Sequence, residues 1–209
     1  MAPDSIKKTV RRIGVAGFMG AGKTAFARFL MQPDSMAVLI NADVEAKQLM
    51  LGNEGIKKKL IDRFGTSVIT DDAINFKRLG EIVFSNPDNL LALNALVHPP
   101  LLKRLKELVF STSAPVTICD AALIPLWRIE PWFDLLIWVS APFETRLGRL
   151  LKNAPLDRDA LTTRMRAQQT LFRQPSTTFW ETIENNDSLD SLKTAAADYQ
   201  ALFNNKENE

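Results

Sequence analysis

Short apolar runs alternating with stretches of helical periodicity set the rhythm of this chain. Ile13, Val15 and Ala16 read as a buried strand, and Ala25, Phe26, Phe29 and Leu30 then recur at helical spacing. Pro33 and Asp34 break that pattern before a second apolar run, Ala37 to Ile40, which ends in Asn41, Ala42 and Asp43. From Asn53 to about Phe110 the texture is mostly helical, without a clear buried strand. Gly65 ends one helix there, Asp71 and Asp72 mark a turn, and Asn86 to Asp88 divides two more helices. His98, Pro99 and Pro100 read as a helix start, after which Leu101, Leu102, Leu105, Leu108 and Val109 repeat at helical spacing. Pro115 to Cys119 and Leu135 to Val139 read as further strands, and Glu144 to Arg173 as helix. Phe179 to Glu184 reads as a last strand, before a final helix with Leu189, Leu192, Ala196, Tyr199 and Leu202 on one face. Strands alternating with helices in this way predict an α/β chain with a parallel sheet.

The chemistry concentrates in Gly17 to Thr24, GFMGAGKT, a full match to the phosphate-binding pattern GxxxxGK[ST] in its working context of strand, loop and helix. Glycines there open backbone conformations closed to other residues, so that successive N–H groups can face phosphate oxygens at the positive end of the following helix. Gly17, Met19, Gly20, Ala21, Gly22, Lys23, Thr24 and Ala25 are therefore the expected nucleotide-binding residues. Lys23 is suited to bridge β- and γ-phosphates, and the Thr24 hydroxyl to ligate Mg²⁺. Asp120, at the end of an apolar strand, is the expected carboxylate for the waters around that ion.

Composition narrows the remaining classes. Hydrophobic residues make up 46% and charged residues 24% of the 209, and the formal charge of +2 is too small to argue for nucleic acid. Lys7, Lys8, Arg11 and Arg12, and Lys57 to Lys59, are expected to be solvated. The single cysteine, Cys119, excludes an internal disulfide framework and, lying in an apolar run, is expected to be buried. No apolar stretch reaches membrane-spanning length and the charged start lacks the apolar segment of a signal peptide, so the expectation is a cytoplasmic protein without a membrane partner.

Further candidates carry two readings each. Asp43, just past a strand, is placed to meet an acceptor hydroxyl, since open parallel sheets bind ligands at their carboxyl ends; it is equally a helix N-cap. Lys47 falls one turn later on the same face, as a phosphate contact or an exposed partner. His98, the lone histidine, is a substrate contact or a packed side chain, and a poor metal ligand for want of company. Arg146, Arg149, Lys152, Arg158, Arg164, Arg166 and Arg173 cluster as on a lid closing over transferring phosphates, with about half expected to be solvated.

In the order of these pieces the chain resembles the dephospho-coenzyme A kinases over nearly its whole length. NADVEAK is similar to that family's DADxxAR, FSNPDNLLALNALVHPPL to its region ending in His-Pro, SAPFETRLGRL to its entry into the lid, RMRAQQ to its RxxxQ and IENNDSLDSL to its IDNNGSxxxL. The resemblance implies a P-loop kinase fold of the nucleoside-monophosphate-kinase type: a five-stranded parallel sheet flanked by helices, with a helical substrate lobe and a helical lid. The implied layout is a core of 10–52, 111–145 and 179–203, a lobe of about 53–110 and a lid of about 146–178. It implies phosphorylation of the ribose 3′-hydroxyl of dephospho-coenzyme A by ATP with Mg²⁺, in a monomer or small homo-oligomer. Lys23, Asp43 and Arg149 would be catalytic, Asn185 would join the nucleotide site, and Lys47, His98, Arg164 and Gln168 would serve the substrate. The chain departs from the pattern at Asn41 for aspartate, Lys47 for arginine, Leu126 where a glutamate is missing from AALIPL, Asn153 for a lid arginine beside Lys152, and Asp187 for glycine. Two rivals stay open: a nucleoside monophosphate or small-metabolite kinase on the same fold, and a nucleotide-binding module without catalysis.

Overall fold

The computed structural model describes residues 10–31, 37–153, 156–175, 179–186 and 188–204, with the backbone alone for 201–204. Lys7, Lys8, Pro33, Asp34, Asp187, the Leu202 side chain and the tail from 205 onward lie outside that description. β1 (Arg12–Ala16) runs through the glycine-rich loop into α1 (Lys23–Leu30), and β2 (Ala37–Asn41) leads directly into α2 (Ala42–Leu51). Then come α3 (Glu54–Phe64), a hairpin of β3 (Ile69–Thr70) and β4 (Ala73–Ile74), α4 (Phe76–Ser85) and α5 (Pro87–Ser111). The remainder is β5 (Val116–Asp120), α6 (Ile124–Trp127), β6 (Leu135–Ser140), α7 (Phe143–Asn153), α8 (Arg158–Leu171), β7 (Glu181–Glu184) and α9 (Leu189–Asn204). Two compact units result, one from the described parts of Met1–Asn41 and Ser111–Glu209, the other Ala42–Phe110.

In the first unit the five strands lie in the order β2-β5-β1-β6-β7, every pair parallel. β1, β5 and β6 are buried at nearly every position, because helices cover both faces of such a sheet; hence their sequences are continuous apolar runs without alternation. Phe26, Ala27 and Leu30 of α1 and Leu192, Ala196 and Tyr199 of α9 pack on Ile13, Val15, Ile118, Ile137 and Val139 of the sheet. Asp134 pins the start of β1: its Oδ2 accepts from the amides of Arg11 at 3.1 Å and Arg12 at 2.9 Å, and its Oδ1 pairs with the Arg12 guanidinium at 3.4 Å. Burial alone would raise the Asp134 pKa, but these donors outweigh it and hold the carboxyl below its ordinary value. Cys119 is fully buried on β5, and burial, helped by the neighbouring Asp120, pushes its thiol up to about 12, so it is inert.

The second unit has its own core of Met50, Ile56, Leu60, Val68, Ile74, Leu79, Val83 and Val97. Asn53 and Asn75 cap α3 and α4 by accepting from the amides of Ile56 and Arg78, and Gly65 closes α3 with a positive φ of 86°. Asp71 and Asp72 form the expected turn, both with positive φ, but they join a two-residue hairpin that the sequence did not suggest.

Pro99 and Pro100 do not start a helix; they lie inside α5. Each removes an N–H that would have bonded four residues back, at a cost of roughly 3 kcal/mol or more in an ordinary helix. Val97, Leu101, Leu105 and Val109 are buried at a spacing of four that runs straight through the prolines. At roughly 1.5–3 kcal/mol for each such side chain, this stripe outweighs the break. The stretch from Glu144 to Arg173, in contrast, forms two helices, α7 and α8, with Asp157 capping the second by accepting from the Ala160 amide.

Candidate active site

The phosphate loop leaves β1 at the carboxyl edge of the sheet. Gly17 passes so close to β6 that a Cβ there would strike the carbonyl oxygen of Val139, and Gly22, at φ 100°, leaves no room for a Cβ beside the Asn185 carboxamide. Among the described residues, the Met19 amide is bonded to the Gln168 side chain and the Ala21 amide to the Phe18 carbonyl, whereas the amides of Gly20, Gly22, Lys23 and Thr24 make no such bond. Those four donors, at the start of α1, form the part of the cradle open to an anion.

Beside them three strand ends converge. Thr24 Oγ1 donates to Asp120 Oδ2 at 2.6 Å, and Asn41 Nδ2 donates to the same oxygen at 2.8 Å. The register of the sheet explains the meeting: Asp120 on β5 stands level with Asn41 on β2 and with Val15 on β1, one residue before the strand gives way to the loop. Asp120 is 2% exposed, so its carboxylate is held by directed hydrogen bonds away from bulk water. Asn41 is thus a structural partner of the carboxylate, a role that the sequence showed only as a departure from a family pattern.

The helices after β6 close on the loop from the other side. Arg149 Nη2 donates to the backbone carbonyl of Asn185 at 2.9 Å and to its Oδ1 at 3.3 Å, and Asn185 Nδ2 donates to the Ala21 carbonyl at 2.7 Å. Asn185, 4% exposed, therefore links Arg149 to the loop. Gln168, expected on the acceptor side, places its side-chain oxygen 2.8 Å from the Met19 amide, with Arg164 half-buried one turn earlier on α8. Asn153, standing where a lid arginine was expected, bonds the Arg149 carbonyl at 2.9 Å and closes α7. Arg146 is no phosphate ligand waiting in solvent. It is 2% exposed, its Nε donates to the Ala141 carbonyl at 3.1 Å, and its guanidinium sits over the rings of Phe18 and Phe143. Phe18 in turn packs edge-on to Trp138 at 5.1 Å and against Phe172 at 5.3 Å.

The second unit holds Asp43 and Lys47, both exposed, one turn apart on α2, with Lys47 Nζ 6.0 Å from the centre of the Phe76 ring. His98 is half-buried on α5, and burial lowers its pKa, leaving a neutral imidazole at neutral pH. Glu45 of the same unit pairs with Arg104 at 3.3 Å. Among the described residues no helix is long and apolar enough to cross a membrane.

Comparison with known proteins finds relatives over most of the chain. The family model described as dephospho-CoA kinase (CoaE) matches residues 11–190. A dephospho-CoA kinase of Streptomyces avermitilis is 34% identical over 194 residues, 91% of this chain and 92% of its own. One of Carboxydothermus hydrogenoformans is 31% identical, covering 87% of this chain and 88% of its own. Among solved structures, the Thermus thermophilus protein TT1252 superposes with a TM-score of 0.70 at 27% identity, covering 93% of this chain and 98% of its own. A dephospho-CoA kinase from Campylobacter jejuni, 20% identical with a TM-score of 0.58, shares the fold over 92% of this chain and 97% of its own. The chain belongs to the dephospho-CoA kinase family.

Proposed function

We propose that the protein transfers the γ-phosphoryl group of ATP to the ribose 3′-hydroxyl of dephospho-coenzyme A, giving coenzyme A and ADP, the last step of coenzyme A biosynthesis, in the cytoplasm. The observation that carries this reading is the Thr24–Asp120 pair beside the four open loop amides, in a chain whose relatives bear that activity in their names.

A cation fits the residues present. A hydroxyl and a buried carboxylate are hard oxygen groups of the kind that such an ion prefers. Thr24 and Asp120 would hold Mg²⁺, which when bound neutralises charge on the phosphates.

The chain's own residues do the rest. The amides of Gly20, Gly22, Lys23 and Thr24 bind the donor phosphates, and the Lys23 ammonium stabilises charge on the transferring group. Arg149, fixed on Asn185, and Arg164 add positive charge from α7 and α8. Asp43 is assigned to the acceptor hydroxyl, with Lys47 and His98 contacting the acceptor. Because phosphoryl transfer passes through a loose transition state, positioning and electrostatics outweigh base strength.

A coupled assay of ADP release with Mg-ATP and a panel of acceptors tests the proposal. Turnover is expected with dephospho-coenzyme A. ADP release with a nucleoside monophosphate but none with dephospho-coenzyme A would overturn the acceptor, and normal ATP binding with no turnover on any acceptor would mark a non-catalytic module.

A further inference from the structure

We infer that Gln168 is a positioning residue of the donor site: through Met19 it holds the apex of the phosphate loop and ties the placement of α8 to nucleotide binding. The inference rests on the reading of the chain as an ATP-dependent kinase.

Met19 is gripped at three points. Its amide donates to Gln168 Oε1 at 2.8 Å, and its carbonyl accepts from Arg146 Nη1 at 3.4 Å. Its side chain packs into the small core that joins the two helices, against Leu147, Leu161 and Met165. The Met19 N–H is a donor, so the partner must be the carboxamide oxygen and the orientation of the amide group follows from chemistry. A loop residue whose polar groups and side chain are all taken by α7 and α8 cannot move independently of them. Gly20 enforces the same closeness, since a Cβ there would lie 2.8 Å from the Arg146 carbonyl oxygen.

The Met19 amide is thereby withdrawn from phosphate binding and used to fix the loop, leaving the amides from Gly20 onward for the nucleotide. When ATP orders those amides, it also favours the loop conformation that accepts Gln168, so nucleotide binding and the seating of α8 support one another. By reciprocity, losing the Gln168 contact weakens ATP binding directly and the acceptor only indirectly.

Gln168→Leu removes the acceptor oxygen and Gln168→Glu keeps it. Amide hydrogen exchange of Met19, followed by NMR on the protein without ligand, should accelerate severalfold in Q168L and stay near the parent rate in Q168E. Calorimetric titration with Mg-ATP, acceptor absent, should show binding about twofold to tenfold weaker in Q168L, the range of one hydrogen bond. The KM for dephospho-coenzyme A should stay within about twofold of the parent, because Gln168 acts on the loop and reaches the acceptor only through it. Unchanged Met19 exchange in Q168L, or lost protection in Q168E, would overturn the contact. Unchanged ATP affinity with a raised KM for dephospho-coenzyme A would instead put Gln168 on the acceptor. Should the parent bind Mg-ATP yet leave dephospho-coenzyme A untouched, the acceptor assignment fails alone, and exchange and titration still decide the role of Gln168.

Discussion

Asn41→Asp probes the contact that holds the buried carboxylate of the site. Asn41 Nδ2 lies 2.8 Å from Asp120 Oδ2, and Asp120 is 2% exposed, so the substitution sets a second carboxylate against the first. At an effective dielectric of about 20, unit charges at that separation repel by about 6 kcal/mol. The pair has a cheaper escape, which is to share a proton. Keeping a proton at pH 7 on a carboxyl whose ordinary pKa is about 4 costs about 4 kcal/mol, at about 1.4 kcal/mol per pH unit. The smaller figure decides, so the loss of stability is capped near 4 kcal/mol at neutral pH.

The pH dependence follows from the sign of the shift. In the variant the paired carboxyls have a folded pKa raised above the unfolded value, so the folded state binds more protons than the unfolded state between the two. Stability relative to the parent is nearly equal below about pH 4, falls by up to about 1.4 kcal/mol per unit above it, and levels off beyond the raised pKa. Urea denaturation of parent and variant between about pH 4.5 and pH 7.5, read by tryptophan fluorescence, measures the difference. Mg²⁺ with ADP should narrow the gap, because two carboxylates and a hydroxyl attract a hard cation more than one does. A difference that stays constant across the pH range would refute the Asn41–Asp120 contact as the seat of the effect.

Two other expectations follow from the site. Lys23→Ala should lower kcat about tenfold more than Asp43→Asn, since a loose transition state needs charge stabilisation more than a base; equal losses in steady-state turnover would overturn that division. His98→Gln should flatten the acid side of the stability profile. Burial lowers the folded pKa of His98, so its contribution is intact above the unfolded pKa of about 6.5 and is lost as pH falls from there toward the folded value. Thermal melts at stepped pH would show the slope persisting in the variant if the histidine were not its source.

Local rules reached the first unit well because a parallel sheet writes itself into sequence as uninterrupted apolar runs. The runs at Ile13, Ile118 and Ile137 are buried on both faces, and the strands were visible for that reason. The glycine-rich loop was visible because its backbone geometry demands particular residues at fixed spacing. Strand order is another matter. Nothing local says that β5 lies between β1 and β2, yet that order alone brings Asn41 and Asp120 level. A deviation from pattern at Asn41 was readable, and its partner was not. Pro99 and Pro100 misled for the converse reason: a strong local signal was overruled by the burial of Val97 and Leu101 on either side.

The arginines show how far residue type goes toward a role. Seven cations between Arg146 and Arg173 look alike as a pattern, and the expectation of a phosphate lid with about half of them solvated does not say which belong to which group. Arg146 differs from Arg149 in its partners and in what covers it. A guanidinium stacks on aromatic faces as readily as it pairs with phosphate, and Phe18, within the loop itself, supplies such a face together with Phe143. The Phe18 ring offers no hydrogen-bond donor to a phosphate and is packed instead against Trp138, Phe172 and the Arg146 guanidinium. The structure also separates two members of the cluster: Arg146 is enclosed and braces the loop through the Met19 carbonyl, while Arg149 is held on the backbone and side-chain oxygens of Asn185.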